Sequence, residues 1–392
     1  MLSRSELRRR VTAVLPEVTE MRHSLHRIPE LHFEEKETAA YLRQKLAGTQ
    51  LEVLPPLMDT DTVALLRGGS PGRTVLLRSD IDALPVTEKS GKSWSSTHHG
   101  KAHSCGHDGH MAMLYGAARV LEGLAGELSG AVRFVFQPAE EEACGGRTLV
   151  ERGLLDLQPT PDLAFALHGW PGVPAGTIAS APGAMMAAAD RFTLTVHGKG
   201  GHAALPHRAA DPVVTAAQLI TSFQTIVSRS VDPQEAAVVS VCRIEGGRTS
   251  NVIPDSVVME GTTRYFNRAL GPRLRERIER ITDGICTAAG CTPELAYEEG
   301  YIPLVNDGAA VQVAQEAVER WLGAEAWSTD HPRTMGAEDF AFYLDKVPGA
   351  LLRLGLGVDW QPLHSPGFDF NDQSLEAGIT VLVGAAIGVC SR

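Results

Sequence analysis

At 392 residues the chain is longer than one ordinary hydrophobic core organises, so two domains are expected. Its apolar content of 43% is enough to fill both cores. A formal net charge of −11, with the lysines few and scattered, excludes the basic stripe of a nucleic-acid binder and directs attention to small-molecule chemistry.

The opening MLSRSELRRRVTAVLPEV carries charge but no apolar signal core. No stretch reaches the roughly 18 uninterrupted apolar residues of a membrane span. The expectation is a cytoplasmic protein with no membrane and no nucleic-acid partner. Six cysteines, at 105, 144, 242, 286, 291 and 390, lack the density of a disulfide framework, which fits a reducing compartment and leaves Cys105 available as a thiolate.

Up to about residue 180, helical patterns alternate with short apolar runs: TVALL (62–66), TVLLRSD (74–80), AVRFVFQ (131–137) and LAFALH (163–168). This alternation predicts a mostly parallel sheet flanked by helices. Three of the runs end on polar clusters, at Asp80 and Asp82, at Glu140 to Glu142, and at His168. Ligands bind beyond the carboxyl ends of strands in such sheets, so these clusters are expected to converge.

From about residue 185 the pattern changes. RFTLTVHG (191–198) alternates like a half-buried strand, and residues 212–230 read as a helix with Val213, Ala217, Ile220, Phe223 and Val227 on its apolar face. Two strands follow. A second helix then carries Leu270, Leu274, Ile278, Ile281 and Ile285, and CTPELAYEEG closes the segment as a strand. The order β-α-β-β-α-β predicts a ferredoxin-like unit at 185–299, inserted between the two parts of an α/β domain at 1–184 and 300–392. After it come a helix at 306–323, the strand ALLRLG (350–355) and a terminal helix from about Ser374.

HSCGHDGHMAM (103–113) places Cys105 and His107 two residues apart before a helix. A soft thiolate with an imidazole suits zinc, with manganese, cobalt or nickel less preferred. The pair alone is a weak signal, since a buried cysteine beside surface histidines reads the same way. QPAEEE (137–142) adds three carboxylates at a strand end. They are either the acidic first turn of a helix or a division of labour, one glutamate ligating metal while its neighbour moves a proton. His168 and His364 could complete a metal shell.

RSDIDALP (78–85), HSCGHDGHMAM, FQPAEE (136–141), LHGWP (167–171), GKGGHAALP (198–206), SNVIPD (250–255), GAEDF (336–340) and LHSP (363–366) occur in the order seen in the M20 metallopeptidases. The chain most resembles their amidohydrolase branch, the N-acyl-amino-acid deacylases that include hippurate and auxin-conjugate hydrolases. The resemblance runs from about residue 20 to the C-terminus. It implies a zinc-exopeptidase-like α/β domain with the insert as lid and dimerisation domain. It also implies two divalent cations, zinc or manganese before cobalt or nickel, held by Cys105, His107, Glu141, His168 and His364, with Cys105 bridging.

By the same resemblance Glu140 is the general base, and Asp82 orients a ligand imidazole, with Asp80 and Asp108 as weaker candidates for that task. His202 stabilises the oxyanion in the site of a second subunit, so a homodimer or a dimer-based tetramer is implied. Asn251 and Arg264 hold the carboxylate of an N-acyl-L-amino acid, whose amide is cleaved. A dipeptidase or aminobenzoyl-amino-acid hydrolase, or a non-catalytic metal-binding relative, are the alternatives. Ser104, His98 and His99 depart from the family's usual pattern, as does Arg147, which if near the pocket would favour an acidic substrate. His207, His331 and Trp360 carry no assigned role.

Overall fold

The computed structural model describes residues 2–330 and 333–391; His331 lies outside them. The chain divides into two units, one of residues 1–185, 305–332 and 339–392, the other of 186–304 and 333–338.

The larger unit opens with helix α1 (Arg4–His26), whose first turn is capped by the Ser3 hydroxyl accepting from the Glu6 N–H, and continues with α2 (Lys36–Ala47). Strands β1 (Thr62–Arg67) and β2 (Ser70–Asp80) precede helix α3 (His107–Glu122); β3 (Ser129–Gln137) and β4 (Leu163–Pro171) follow. The smaller unit is built from β5 (Ala188–His197), α4 (Pro212–Thr225), β6 (Ala237–Glu245), β7 (Ser256–Tyr265), α5 (Leu270–Ala289) and β8 (Thr292–Tyr301). The chain then returns to the larger unit with α6 (Gly308–Trp321), β9 (Gly349–Gly357) and α7 (Leu375–Cys390).

The main sheet runs Glu52–Val53, β1, β3, β2, β4, β9, Ile178–Ala179, Trp327–Ser328. Its centre is parallel: β2 pairs with β3 and β4 in that sense, and β4 with β9, whereas β1 joins β3 antiparallel. Central strands are buried on both faces, so β2 and β4 read as near-continuous apolar runs rather than as alternation. The register sets Asp80 level with Gln137, so β2 and β3 end together and deliver their polar residues to one edge. Asp372–Cys390, which contains α7, is the one helical stretch among the described residues long and apolar enough to cross a membrane, and 78% of its most apolar window is buried, α7 packing against α3 and α6 as a core helix.

In the smaller unit the sheet order is β6, β7, β5, β8, all antiparallel, which is the ferredoxin-like order, with α4 and α5 on one face. The inward face of α4 differs from the sequence reading. Pro212, Ala216, Leu219, Phe223 and Ile226 are buried, while Val213 and Ala217 are exposed and Ile220 is half-buried. PVVTAAQLI is apolar on most sides of the helix, so its periodicity leaves the face undetermined, and packing on β5 and β7 decides it.

Candidate metal centre

Three elements deliver the donors in the larger unit. Gly106 precedes α3 with φ 89°, a conformation glycine adopts freely, and an added Cβ would lie 3.1 Å from the Phe370 ring. This turn sets Cys105 and His107, both buried, at the head of the helix. The Cys105 Sγ lies 3.5 Å from the His168 Nε2, and His168 is placed by β4. Beyond β3, Ala139 takes φ 58° and starts the short helix Glu140–Ala143.

His107 donates from Nδ1 to the backbone oxygen of Asp82 at 2.9 Å, with the Asp82 carboxylate 3.3 Å away. Asp82 also accepts from the Glu141 N–H at 3.0 Å, so one aspartate fixes both the ring and the carboxylate next to it. The His107 Nε2 and the Glu141 Oε1 face each other at 3.8 Å, buried and without a hydrogen-bond partner. Glu141 Oε1 is also 3.4 Å from the His364 Nε2. His364 is held by its backbone, with φ 63° and its N–H donated to the Ser104 oxygen at 2.7 Å.

Ligand atoms of Cys105, Glu141 and His364 lie within 4.8 Å of one another, as do those of His107, Glu140 and Glu141. Buried lone pairs aimed at each other in this way fit divalent cations. The electrostatics agree. Burial raises the Cys105 thiol well above its ordinary value, and Glu141 and Glu140 add to the rise. Burial opposes a charge on His107, yet Asp80, Asp82 and Glu141 overcome it and push the imidazole up to about 10. Cations among these groups reverse both tendencies and stabilise thiolate and neutral imidazole as ligands.

A supporting shell surrounds the donors. The Gly169 N–H donates to the His110 Nε2 at 2.7 Å, so His110 carries its proton on Nδ1 and gives it to Asp80 at 2.7 Å. With both nitrogens engaged, His110 braces the site rather than ligating. Asp80 also accepts from Arg78 at 2.9 Å. Asp108, a candidate for orienting a ligand imidazole, does not do so. It turns away to Arg22 at 2.9 Å and His26 at 2.8 Å, because successive helical residues point about 100° apart. His103 is buried with neither ring nitrogen hydrogen-bonded, and burial depresses it to about 3. Arg147 pairs with Glu151 one turn along its own helix at 3.1 Å, with both side chains exposed.

Two supports were missed in the sequence reading. Glu35, fully buried, accepts the Ala139 N–H at 2.9 Å and so holds the left-handed residue in front of Glu140. Asp339 accepts from Gln137 at 2.8 Å and from the Gly146 N–H at 2.6 Å, bracketing the glutamate segment on both sides. Glu35 stands in PELHFEE and Asp339 in GAEDF, and only the second was among the motifs singled out.

The remaining candidates lie in the smaller unit. The ladder Gly201–His202 with Val252–Ile253 brings His202 beside Asn251, whose backbone oxygen accepts from Ala203 at 3.1 Å. The His202 ring is exposed and accepts from the Ala204 N–H at 3.0 Å. Arg264 lies half-buried on β7.

Comparison with known proteins agrees with this architecture. Residues 76–387 match the model of "Peptidase family M20/M25/M40". An N-acetyl-L-cysteine deacetylase of Bacillus subtilis is 39% identical over 355 residues, 91% of this chain and 84% of that protein. An N-acyl-L-amino acid amidohydrolase of Geobacillus stearothermophilus is 39% identical over 78% of this chain and 82% of its own length. A solved Bacillus subtilis structure, described as a dinuclear metal binding peptidase from the M20 family, superposes with a TM-score of 0.84 at 34% identity, covering 97% of this chain and 99% of that one. The chain belongs to the M20 peptidase family.

Proposed function

We propose that the protein is a metal-dependent amidohydrolase that cleaves N-acyl-L-amino acids to a carboxylic acid and a free amino acid. The observation that carries this reading is the buried meeting of the His107 Nε2 and Glu141 Oε1, both without hydrogen-bond partners, beside a buried thiol. Cys105, His107, Glu141, His168 and His364 would hold two divalent cations, zinc or manganese in first place and cobalt or nickel after them. When bound, such a pair activates water and polarises the scissile carbonyl.

The chain's own groups do the rest. Asp82 fixes the His107 tautomer, so that Nδ1 carries the proton and Nε2 presents its lone pair. Glu140, buried beside Glu141, takes the proton from water and delivers it to the leaving nitrogen. His202, supplied by a second subunit, donates to the developing oxyanion, and Asn251 and Arg264 hold the substrate carboxylate. This assigns the smaller unit to lid and dimerisation work and makes a dimer or a dimer-based tetramer the active form. Exposed Leu205, Val213, Val214 and Val252 support a partner on that unit. Six free cysteines support a reducing, cytoplasmic location, and the net charge of −11 speaks against a nucleic-acid partner.

The test is a mass-spectrometric screen of N-acetyl, N-benzoyl, N-indoleacetyl and long-chain N-acyl amino acids with zinc, manganese and cobalt in parallel, run with the parent and Glu140→Gln. Turnover by the parent, with a loss of about 10²-fold or more in the variant while its metal content is retained, is the expected result. A metal-loaded parent inert to the whole panel overturns the proposal, and near-parental turnover by the variant overturns the assignment of the base.

A further inference from the structure

We propose that Arg191 and Arg264 form a two-arginine anion site on the open face of the smaller unit's sheet, which selects N-acyl amino acids whose side chain carries a second carboxylate. This rests on the reading above, in which Arg264 takes the α-carboxylate.

Along β5, Phe192, Leu194 and Val196 are buried with the helices, whereas Arg191 and Thr193 are exposed on the other face. β7 pairs antiparallel with β5, with Thr262 opposite Arg191 and Arg264 opposite Ala189. Arg191 and Arg264 are therefore diagonal neighbours on one face, the relation that lets long side chains meet. Among the described residues neither guanidinium makes an ion pair or a side-chain hydrogen bond. Burial lowers the proton affinity of Arg264, and the adjacent charge of Arg191 lowers it further. The nearby Asp190 acts in the opposite sense but is held by the Thr263, Tyr265 and Tyr297 hydroxyls rather than paired with Arg264, so the two adjacent like charges still favour an anion.

An open cavity of about 460 Å³ lies here, lined by both arginines with Thr193 and Thr262. Among the described residues neither of its glutamates makes an ion pair with these two arginines. Glu260 is spent on Arg243 at 2.5 Å, and Arg243 also takes Glu245 at 2.5 Å. Glu298 is aligned with Arg191 across the β5–β8 ladder but is exposed and makes no ion pair among the described residues. A planar guanidinium grips one carboxylate with both arms, so the α-carboxylate engages one arginine and leaves the other for a second anion. The short linker between the carboxylates of an aspartate or glutamate derivative matches diagonal neighbours on one sheet face.

The experiment compares N-acetylglutamate with N-acetylglutamine, which differ in charge but hardly in shape, for the metal-loaded parent and for Arg191→Gln. The parent is expected to favour N-acetylglutamate by about tenfold or more in kcat/KM, chiefly through KM, and the variant to lose most of that preference. Calorimetry with glutarate and its monoamide reads the same site without turnover: glutarate should bind the parent at least about tenfold more tightly than the monoamide, and Arg191→Gln should abolish the difference. Hydrolysis of N-acetylglutamine with no preference for the glutamate substrate, or a preference that survives in the variant, overturns the anion site alone. Selective glutarate binding with no hydrolysis of any N-acyl amino acid keeps the anion site and overturns the substrate reading.

Discussion

Cys105 has no apolar reason to be where it is. Its thiol is buried among Glu140, Glu141 and His168 rather than in the aliphatic core, and those carboxylates make its ionisation harder unless cations are present. Cys105→Ala is expected to strip metal and activity together, leaving less than about 1% of parental kcat/KM, with far-ultraviolet circular dichroism unchanged. Full metal content with full activity would return the residue to a structural role. Glu35 supplies a second prediction at this scale. Burial, with the charge of Asp82 adding, raises its carboxyl to about 7 against the pull of the Ala139 N–H. The folded chain therefore holds this proton between about pH 4.5 and 7 while the unfolded chain releases it. The stability so gained is complete below that range and is lost as pH rises through the upper value. Glu35→Gln keeps an acceptor for Ala139 and cannot ionise, so its stability relative to the parent should climb between pH 5 and 8, by up to about 3 kcal/mol. Urea titrations at three pH values check this, and a flat difference refutes it. Glu35→Leu, which removes the acceptor, should lower kcat about tenfold or more with KM little changed, while Glu35→Gln keeps most of the parental rate.

At the scale of elements, the segment between β3 and the next helix is held at both ends. Ala139 and Cys144 both sit at positive φ, at 58° and 50°, and Gly145 packs so closely that an added Cβ would lie 1.9 Å from the Pro138 oxygen. A backbone carbonyl cannot retreat as a flexible side chain does. Gly145→Ala should therefore cost on the order of 2–4 kcal/mol and displace Glu140 and Glu141. Thermal melts with metal analysis read both effects, and a variant with parental melting temperature and full metal content refutes the constraint. The strands that carry this segment were legible in sequence, because central parallel strands bury both faces and leave plain apolar runs that stop at charged residues. Their order was not, since β1 joins antiparallel and no periodicity encodes a neighbour. The face of α4 was misread because its apolar residues surround the helix. The proposed ligands Cys105, His107, Glu141, His168 and His364 stand in motifs that only the family resemblance joins into one set, whereas Glu35 acts across 104 residues of chain through a single backbone N–H, and nothing near it in sequence reports that contact.

For the whole molecule, the proposed metal centre predicts that metal occupancy and folding are coupled in one unit and not in the other. The larger unit buries Asp80, Asp82 and Glu140 and nearly all of Glu141 around one small volume, with Cys105 between them. Cations bound there stabilise only the folded form, because the unfolded chain scatters these ligands. At a free metal concentration about a thousandfold above Kd the gain is roughly 4 kcal/mol, on the order of 10 °C in melting temperature for a unit of this size. The smaller unit has its own core of Phe192, Leu194, Phe223, Leu274 and Ile278 and none of the five donors. Chelation should thus lower the calorimetric transition of the larger unit and increase hydrogen exchange in α3 and β4, while amides of β5 and α5 keep their protection. The effect also has a sign in pH. A cation must displace the proton that the carboxylates hold on His107 up to about 10, so metal affinity falls as pH falls, and the chelator midpoint should move to lower chelator concentration in acid. Loss of protection spread evenly over both units, or a chelator midpoint independent of pH, would contradict a metal centre built on His107 in the larger unit.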